Sequence, residues 1–368
     1  MSLRMQAAVA HGVNQPMVIE EVEIGEPRQG ELLVKIVASG LCASDMNALD
    51  GKRNLVPFPA ILGHEAAGVV LTCGSGVTDF TPGDHVIMSI VPSCGTCRYC
   101  LMGKPNFCVT AGNAMGAGGL FDQESVLTLN GERLNHFLCV SSFAEYAVVP
   151  ATGAVRIPPE MPLDRAALIS CAVLTGYGSV MNTAKVTPGS RVVVFGCGGV
   201  GLNIIQGARM AGAKEIVAVD ISTEKLELAK KVGATHGIDA SLVDPVSAVR
   251  EYMGGGDFVF EASGREDTVR QAWLTVDPFG SLTLVGLMKS GTQLTLAADP
   301  FVNEQLIQGC YFGSSHLTTD VPELVNKYLA GDLLLDEVIS DRIGLADINE
   351  AFDQLKAGKG ARNVLVFE

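Results

Sequence analysis

Positive charge is scarce in this chain of 368 residues. It carries 26 Lys and Arg against 40 Asp and Glu, for a net charge of −14 and a pI near 4.9. That balance argues against nucleic acid or an anionic membrane as the main partner. No apolar run approaches the length that spans a bilayer. The opening stretch MSLRMQAAVAHG lacks the apolar segment of a secretory signal. Without an export signal, ten cysteines imply a reducing compartment, where cysteines more often bind metal or react than form bridges. The expected location is the cytoplasm. Internal repeats and low-complexity segments are also missing. What remains is an ordinary globular composition, 48% apolar, long enough for about two domains. The acidic run Glu20, Glu21, Glu23 and Glu26 reads as a solvated face.

The organising stretch runs from Arg191 to Asp220. A short β-branched strand, Arg191–Phe195, leads into Gly196-Cys-Gly-Gly-Val-Gly201, then into a helical pattern from Leu202 to Gly212, then into the strand Glu215–Asp220. Gly196, Gly198 and Gly201 have G-x-G-x-x-G spacing, with Gly199 and Val200 between the last two. Glycine serves there for the tight turn, for close approach to a pyrophosphate and for helix-on-strand packing. The helix N-terminus offers free N–H groups to phosphate. Asp220 ends the next strand, where an acidic side chain can hold an adenosine ribose 2′-OH. Strand, helix, strand and terminal acid in register point to a dinucleotide.

On either side of this stretch the texture differs. Residues 1 to about 90 read mostly as strand, with Ala7–Ala10, Leu32–Val37, Gly68–Leu71 and His85–Ser89 as β-rich runs and one short helix from Ser44 to Leu49. Residues 94–150 read as irregular, closing on a strand Ala144–Val149. From about 172 strand and helix alternate: helices Thr223–Val232, Pro245–Met253 and Thr268–Val276, strands Asp257–Glu261 and Ser281–Val285, and a further strand near Tyr311–Phe312. Alternation of this kind means βαβ units and a parallel sheet with helices on both faces. The tail, with helices Val321–Leu329 and Asp347–Lys356 and strand Asn363–Phe367, returns to the style of the first region. The expected architecture is α/β, a doubly wound Rossmann domain inserted into a discontinuous β-rich domain, with boundaries 1–172, 173–315 and 316–368.

Cys94-x2-Cys97-x2-Cys100-x7-Cys108 is the least ambiguous motif. Four thiolates so close in sequence can close a tetrahedral shell around Zn²⁺. An iron–sulfur cluster is the rival, with nothing else in the sequence to suggest it, and two local disulfides are disfavoured by compartment. A closed four-cysteine site leaves no open position, so it should hold a loop rather than perform chemistry. Cys42, His64 and Cys171 are dispersed, and singly each is weak.

Taken together, Gly40-Leu-Cys-Ala-Ser-Asp45, Gly63-His-Glu-Ala-Ala-Gly68, the four-cysteine lobe, Asn135-His-Phe-Leu138, Ser142-Phe-Ala-Glu-Tyr-Ala-Val148, Thr175-Gly-Tyr-Gly178, the glycine fingerprint and Ala361-Arg-Asn-Val-Leu-Val-Phe367 carry a family likeness. From end to end the chain resembles the zinc-dependent medium-chain alcohol dehydrogenases. It is most similar to their longer animal-type and thiol-dependent formaldehyde dehydrogenase branches, since it keeps the segment 110–140. The resemblance implies a GroES-like outer domain. It also implies two zinc ions per chain, one structural and one catalytic, the latter held by Cys42, His64 and Cys171. Glu65 corresponds to an acid near that metal, and Asp45 to the partner orienting the histidine. Ser44 matches the hydroxyl that takes the substrate proton. Asp220 and Lys225 match a ribose-binding pair for NAD, and Arg362 a basic residue that approaches the phosphates. Three protein ligands leave one zinc position open, suited to Lewis-acid work on a substrate oxygen.

The implied activity is interconversion of an alcohol and its aldehyde or ketone with NAD(H). Oxidation of a thiol adduct of formaldehyde is the alternative, and a binding protein reusing the fold a more remote one. Pocket positions Ile90, Leu138, Leu287 and Tyr311 imply a hydrophobic substrate. Ala43 stands where many relatives carry Arg or His, and Asn47 where some have a proton-relay histidine. The acid and arginine that hold glutathione in thiol-adduct enzymes have no evident equivalents around Arg53–Asn54 and Gly112–Asn113. A homodimer along the sheet edge near 295–315 is implied, with a tetramer as the alternative. Cys73, Cys139, Cys197 and Cys310 read as core or turn residues, as do His11, His85, His136, His236 and His316 as structural ones.

Overall fold

The computed structural model describes residues 2–367. The chain forms two units. The first comprises the residues up to Cys171, His316–Ala330 and those from Ile339 onward; the second comprises Ala172–Ser315 and Gly331–Val338.

In the first unit, the strands Leu3–Ala10, Val18–Ile24, Leu127–Leu129, Glu132–His136 and Ala60–Ile61 close into a small barrel. A second sheet runs Ala154–Ile157, His85–Met88, Glu65–Cys73, Glu31–Gly40, Arg362–Val366 and Ile339–Ile343, with Tyr146–Pro150 paired to Glu31–Gly40. The long central strand Glu31–Gly40 alternates buried and half-buried positions. It presents Leu32, Val34 and Ile36 to a core shared with Val70, Val86, Met88 and Val149. The chain's last described strand joins this sheet antiparallel, Val364 opposite Gly40. The tail thus packs beside the stretch that leads into Cys42.

The second unit is a six-stranded, wholly parallel sheet: His236–Asp239, Glu215–Asp220, Arg191–Phe195, Gly256–Glu261, Val276–Leu284, Leu306–Gly309. In the chain order of this unit's strands that is third, second, first, fourth, fifth, sixth, the doubly wound arrangement. Val192, Val193 and Val194 are fully buried, as strands covered on both faces require. Two of the unit's helices are capped by polar side chains. Ser222 accepts from Lys225 N–H to start Thr223–Val232, and Asp244 from Ser247 N–H to start Pro245–Met253.

Four expectations are corrected. The last strand lies at Leu306–Gly309, not near Tyr311–Phe312: Phe312 turns to a φ of +54° and opens a 3₁₀ turn, which ends extended pairing. The supposedly irregular segment 94–150 holds helices Arg98–Leu101 and Val109–Ala117 and strands Leu127–Leu129 and Glu132–His136. Its glycines hid the helical period. The helix expected at Thr268–Val276 spans Glu266–Trp273, and Val276 already begins a strand. Finally, Leu163–Ala184 is a helical stretch long and apolar enough to cross a membrane, with mean hydropathy 1.2, yet 78% of its apolar window is buried inside the protein. A continuous apolar count misses it because Ser170, Thr175 and Ser179 interrupt the run. It is built as a core helix.

Candidate metal centres and dinucleotide site

The sequence Cys42-Ala-Ser-Asp45 folds into the start of a short helix, Ala43–Leu49, capped by its own acid. Asp45 Oδ2 accepts from the Cys42 backbone N–H at 3.1 Å, and Oδ1 accepts from Gly63 N–H at 3.0 Å. The same Oδ1 takes the Nδ1–H of His64 at 3.1 Å. One buried carboxylate therefore fixes the entry of the helix, the turn before His64 and the imidazole's tautomer. His64 also stands edge-on to Phe137, ring centres 5.6 Å apart. Its Nε2 is buried and has no hydrogen-bond partner.

That nitrogen belongs to a cluster. Cys42, His64, Glu65 and Cys171 are all buried, and their ligand atoms lie within 4.8 Å of one another. Cys171 arrives on a π-helical turn, Ile169–Val173, a rare form that tends to occur at functional sites. The Cys171 thiol hydrogen-bonded to Cys42 holds Cys42 well below the usual thiol range, with His64 adding to the effect against the cost of burial. The same contact and burial raise Cys171. Burial works against the His64 imidazolium, but Asp45 and Cys42 outweigh it and leave its pKa raised. Glu65 is pushed up to about 8 by burial, in spite of Arg362. Arg362 Nη2 donates to Glu65 Oε1 at 2.8 Å, and Nη1 to the Leu41 carbonyl at 2.7 Å. Arg362 is thus gathered with this cluster, within the first unit. Ser44 Oγ lies 3.7 Å from the Cys42 sulfur. An orphaned imidazole nitrogen facing two sulfurs, with a buried cation balancing the acid, fits a zinc ion.

The second cysteine set is local. Cys94, Cys97, Cys100 and Cys108 likewise bring their sulfurs within 4.8 Å of one another. Backbone N–H groups are aimed at the sulfurs: Cys97 N–H donates to Cys94 and Cys94 N–H to Cys108, both at 3.3 Å. The Thr110 hydroxyl, followed by backbone groups of Thr96 and Cys97, draws Cys94 down to about 5. A set of four sulfurs, some already favoured as thiolate, suits tetrahedral Zn²⁺.

In the second unit the fingerprint glycines differ in what surrounds them. A Cβ on Gly201 would strike the Gly196 carbonyl oxygen at 1.8 Å, while one on Gly198 would meet nothing within 4 Å. Gly201 is thus required by packing. Gly198 leaves open space at the N-terminus of helix Gly199–Met210, where a pyrophosphate fits. Asp220, half-buried, closes the next strand; its Oδ2 accepts from Cys197 N–H at 2.7 Å and its Oδ1 from Ser222 N–H at 3.0 Å. Lys225 lies one turn on, in the helix that Ser222 caps. Cys197, fully buried, has its thiol pushed up by burial and by Asp220.

The pocket positions divide between the units: Ile90 and Leu138 are buried in the first, while Leu287 and Tyr311 are partly exposed in the second. His136, read from the sequence as structural, has both ring nitrogens buried without a partner. Sequence reasoning passed over one buried titratable group. Glu261, ending the strand Gly256–Glu261, is fully buried. Its place at the end of an apolar strand, level with the fingerprint, was the available signal.

Comparison with known proteins gives the family. The alcohol dehydrogenase GroES-like domain profile matches residues 28–159, and that of the zinc-binding dehydrogenase matches residues 199–329. Alcohol dehydrogenase class-3 of Myxine glutinosa is 40% identical over 99% of this chain and 98% of its own length; that of Drosophila melanogaster is 38% identical over 98% and 97%. Among solved structures, benzyl alcohol dehydrogenase from Acinetobacter calcoaceticus superposes with a TM-score of 0.94 at 32% identity, covering the whole of both chains. An alcohol dehydrogenase zinc-binding domain protein from Burkholderia ambifaria gives 0.95 at 35%, again with full coverage. The chain belongs to the zinc-dependent medium-chain alcohol dehydrogenases, on the branch of the class-3 enzymes. It is an NAD-dependent, zinc-dependent oxidoreductase acting between alcohols and their carbonyl counterparts.

Proposed function

We propose that the chain oxidises and reforms a hydrophobic alcohol, with Cys42, His64 and Cys171 holding a catalytic zinc and the four-cysteine lobe holding a structural one. The observation that carries the reading is His64 Nε2: buried, unpartnered and within 4.8 Å of the other ligand atoms. When bound, zinc supplies Lewis-acid polarisation of a substrate oxygen and NAD takes or returns hydride. Asp45 keeps the imidazole turned so that Nε2 faces the cluster. Arg362 donates to Glu65 and favours its charged form, against the burial that raises its pKa. Ser44 Oγ would accept a hydrogen bond from the substrate hydroxyl and take its proton only as it hands on its own. Asn47 in the same helix carries an amide, which can pass a hydrogen bond but is no base, so that proton would have to leave by another route, such as water. In the second unit Gly196, Gly198, Gly199, Val200 and Gly201 receive the pyrophosphate and Asp220, with Lys225, the adenosine ribose. Ile90 and Leu138, in the first unit, are the apolar positions proposed to face the substrate there; Leu287 and Tyr311 belong to the second unit.

The experiment is a substrate screen. Primary, secondary and aromatic alcohols are assayed with NAD, and formaldehyde with and without added thiols. Turnover of benzyl-type or longer aliphatic alcohols without thiol is expected. The class-3 relatives favour one second reading, oxidation of a formaldehyde–thiol adduct, and formaldehyde turnover only with thiol would replace the first reading by it. A second copy is proposed to pair along the edge strand Leu306–Gly309, where Leu306, Val302 and Phe301 are exposed; light scattering on the purified protein tests this. All ten cysteines are unbridged, which supports residence in the cytoplasm.

A further inference from the structure

One buried carboxylate has no part in this chemistry. Glu261 ends the strand Gly256–Glu261 and stands in register with Phe195, the last residue of the fingerprint strand. These two strands are the neighbours at which the chain order of the sheet reverses. Doubly wound sheets bind their ligands beyond the strand carboxyl ends at that point. Glu261 Oε1 accepts from Ser263 N–H at 2.8 Å, from Gly264 N–H at 3.0 Å and from the Ser263 hydroxyl; Oε2 lies 3.2 Å from the same Gly264 nitrogen. Its backbone carbonyl accepts from both Val285 and Gly286 N–H at 2.8 Å. A single residue therefore ties its own strand end, the 262–264 turn and the end of the neighbouring strand.

The turn has no slack. A Cβ on Gly196 would come within 3.0 Å of Ser263 N, and one on Gly286 within 2.2 Å of Gly264 N and 2.8 Å of Glu261 Oε2. The 262–264 turn is wedged between the fingerprint turn and the segment leading to Leu287. Burial of Glu261 costs free energy, and its pKa is raised for that reason, with the Ser263 and Gly264 donors working against the shift. A neutral or apolar residue would avoid that cost but would leave the Ser263 and Gly264 donors without this acceptor.

We propose that Glu261 is a positioning residue for NAD, fixing the 262–264 turn beside the glycine fingerprint so that the crevice at the switch point keeps its shape. The proposal rests on the assignment of NAD to the second unit. Glu261→Ala leaves the turn's donors unpaired. Glu261→Gln keeps the size but sets an amide NH2 against the Gly264 N–H. Titration of NADH fluorescence should show binding weakened about tenfold in Glu261→Ala and a few-fold in Glu261→Gln, the scale of one or two lost buried hydrogen bonds. KM for NAD should rise by a larger factor than kcat falls, with zinc content and KM for the alcohol close to wild type. If Glu261→Ala fails to fold, Glu261→Gln decides. A folded Glu261→Gln protein that binds NADH as wild type does, or loses kcat and NADH affinity in equal measure, overturns the proposal. A wild-type protein that binds no NADH overturns instead the assignment beneath it.

Discussion

Cys94 and Cys108 meet across a separation of 14 positions; Glu65 and Arg362, in the other cluster, meet across 297. The two cysteine-bearing clusters of the first unit thus solve one coordination problem in different ways. In the lobe, three of the four cysteines are half-buried and the nearby donors are backbone N–H groups of the lobe itself. In the dispersed cluster all four residues are buried, and the sulfurs are set by a helix cap, a π-helical turn and a strand held by a sheet. A metal in the lobe would shape the loop that binds it. A metal in the dispersed cluster would enter a frame that the sheets have already built. Loss of a ligand should therefore cost stability in the first case and activity in the second.

The largest expected effect tests the dispersed side. Cys171→Ser should lower kcat at least a thousandfold, about 4 kcal/mol, while the melting temperature moves by only a few degrees and one zinc per chain remains. Wild-type turnover in a one-zinc variant would erase the distinction. Cys97→Ser is the counterpart. Loss of the closed site should cost about 3 kcal/mol or more, roughly 6–12 °C in melting temperature for a unit of this size. An unchanged melting curve with one zinc lost would show that the lobe folds without its metal.

The glycine fingerprint is local like the lobe, and Asp220 is the residue proposed to set its selectivity. NAD should be preferred over NADP by at least about a hundredfold in kcat/KM, about 2.7 kcal/mol, because the extra phosphate would meet that carboxylate. Asp220→Gly should narrow the gap, and comparable efficiencies in the wild type would remove the acid from this role.

The smallest effect contrasts two buried histidines. His64 has Asp45 as partner; His136 has none, and burial, with Arg28 and Arg133 adding to it, pushes its pKa down to about 3. The unfolded chain binds a proton near pH 6.5 that the folded chain does not. The stability His136 contributes is thus complete above about pH 6.5 and falls as pH drops toward 3, by about 1.4 kcal/mol per unit. Urea melts at pH 6.5 and 5.0 should differ by about 2 kcal/mol more in wild type than in His136→Leu. Equal differences would mean that a buried water or another group already satisfies the ring.

This contrast of local and assembled also explains what the sequence made legible. The lobe and the fingerprint could be read from spacing alone, because their residues share a few turns of chain. The parallel sheet followed from β-branched runs such as Val192–Val194. Cys42, His64 and Cys171 could be grouped only through a family likeness, since no local pattern links positions that a sheet brings together. The likeness named Arg362 for the cofactor phosphates but not for Glu65, the partner it has in the fold, and Glu261 was harder still. Arg362 is an ordinary basic residue in a tail strand, and the partners that give Glu261 its character lie in a turn and on the next strand. The strand His236–Asp239 escaped notice because it is short and has one buried apolar residue, Ile238.

The Glu65–Arg362 ion pair also sets an order in time. Every sulfur of the lobe has been made once Cys108 is added. The cation that neutralises Glu65 belongs to the last strand, 297 positions later, which is about 15–60 s of synthesis at roughly 5–20 residues per second. Until then the strand Glu31–Gly40 lacks its tail partner and Glu65 its counter-charge. We expect nascent chains halted before Arg362 to carry zinc in the lobe alone, as zinc analysis of stalled complexes would show. The first unit is begun first and closed last.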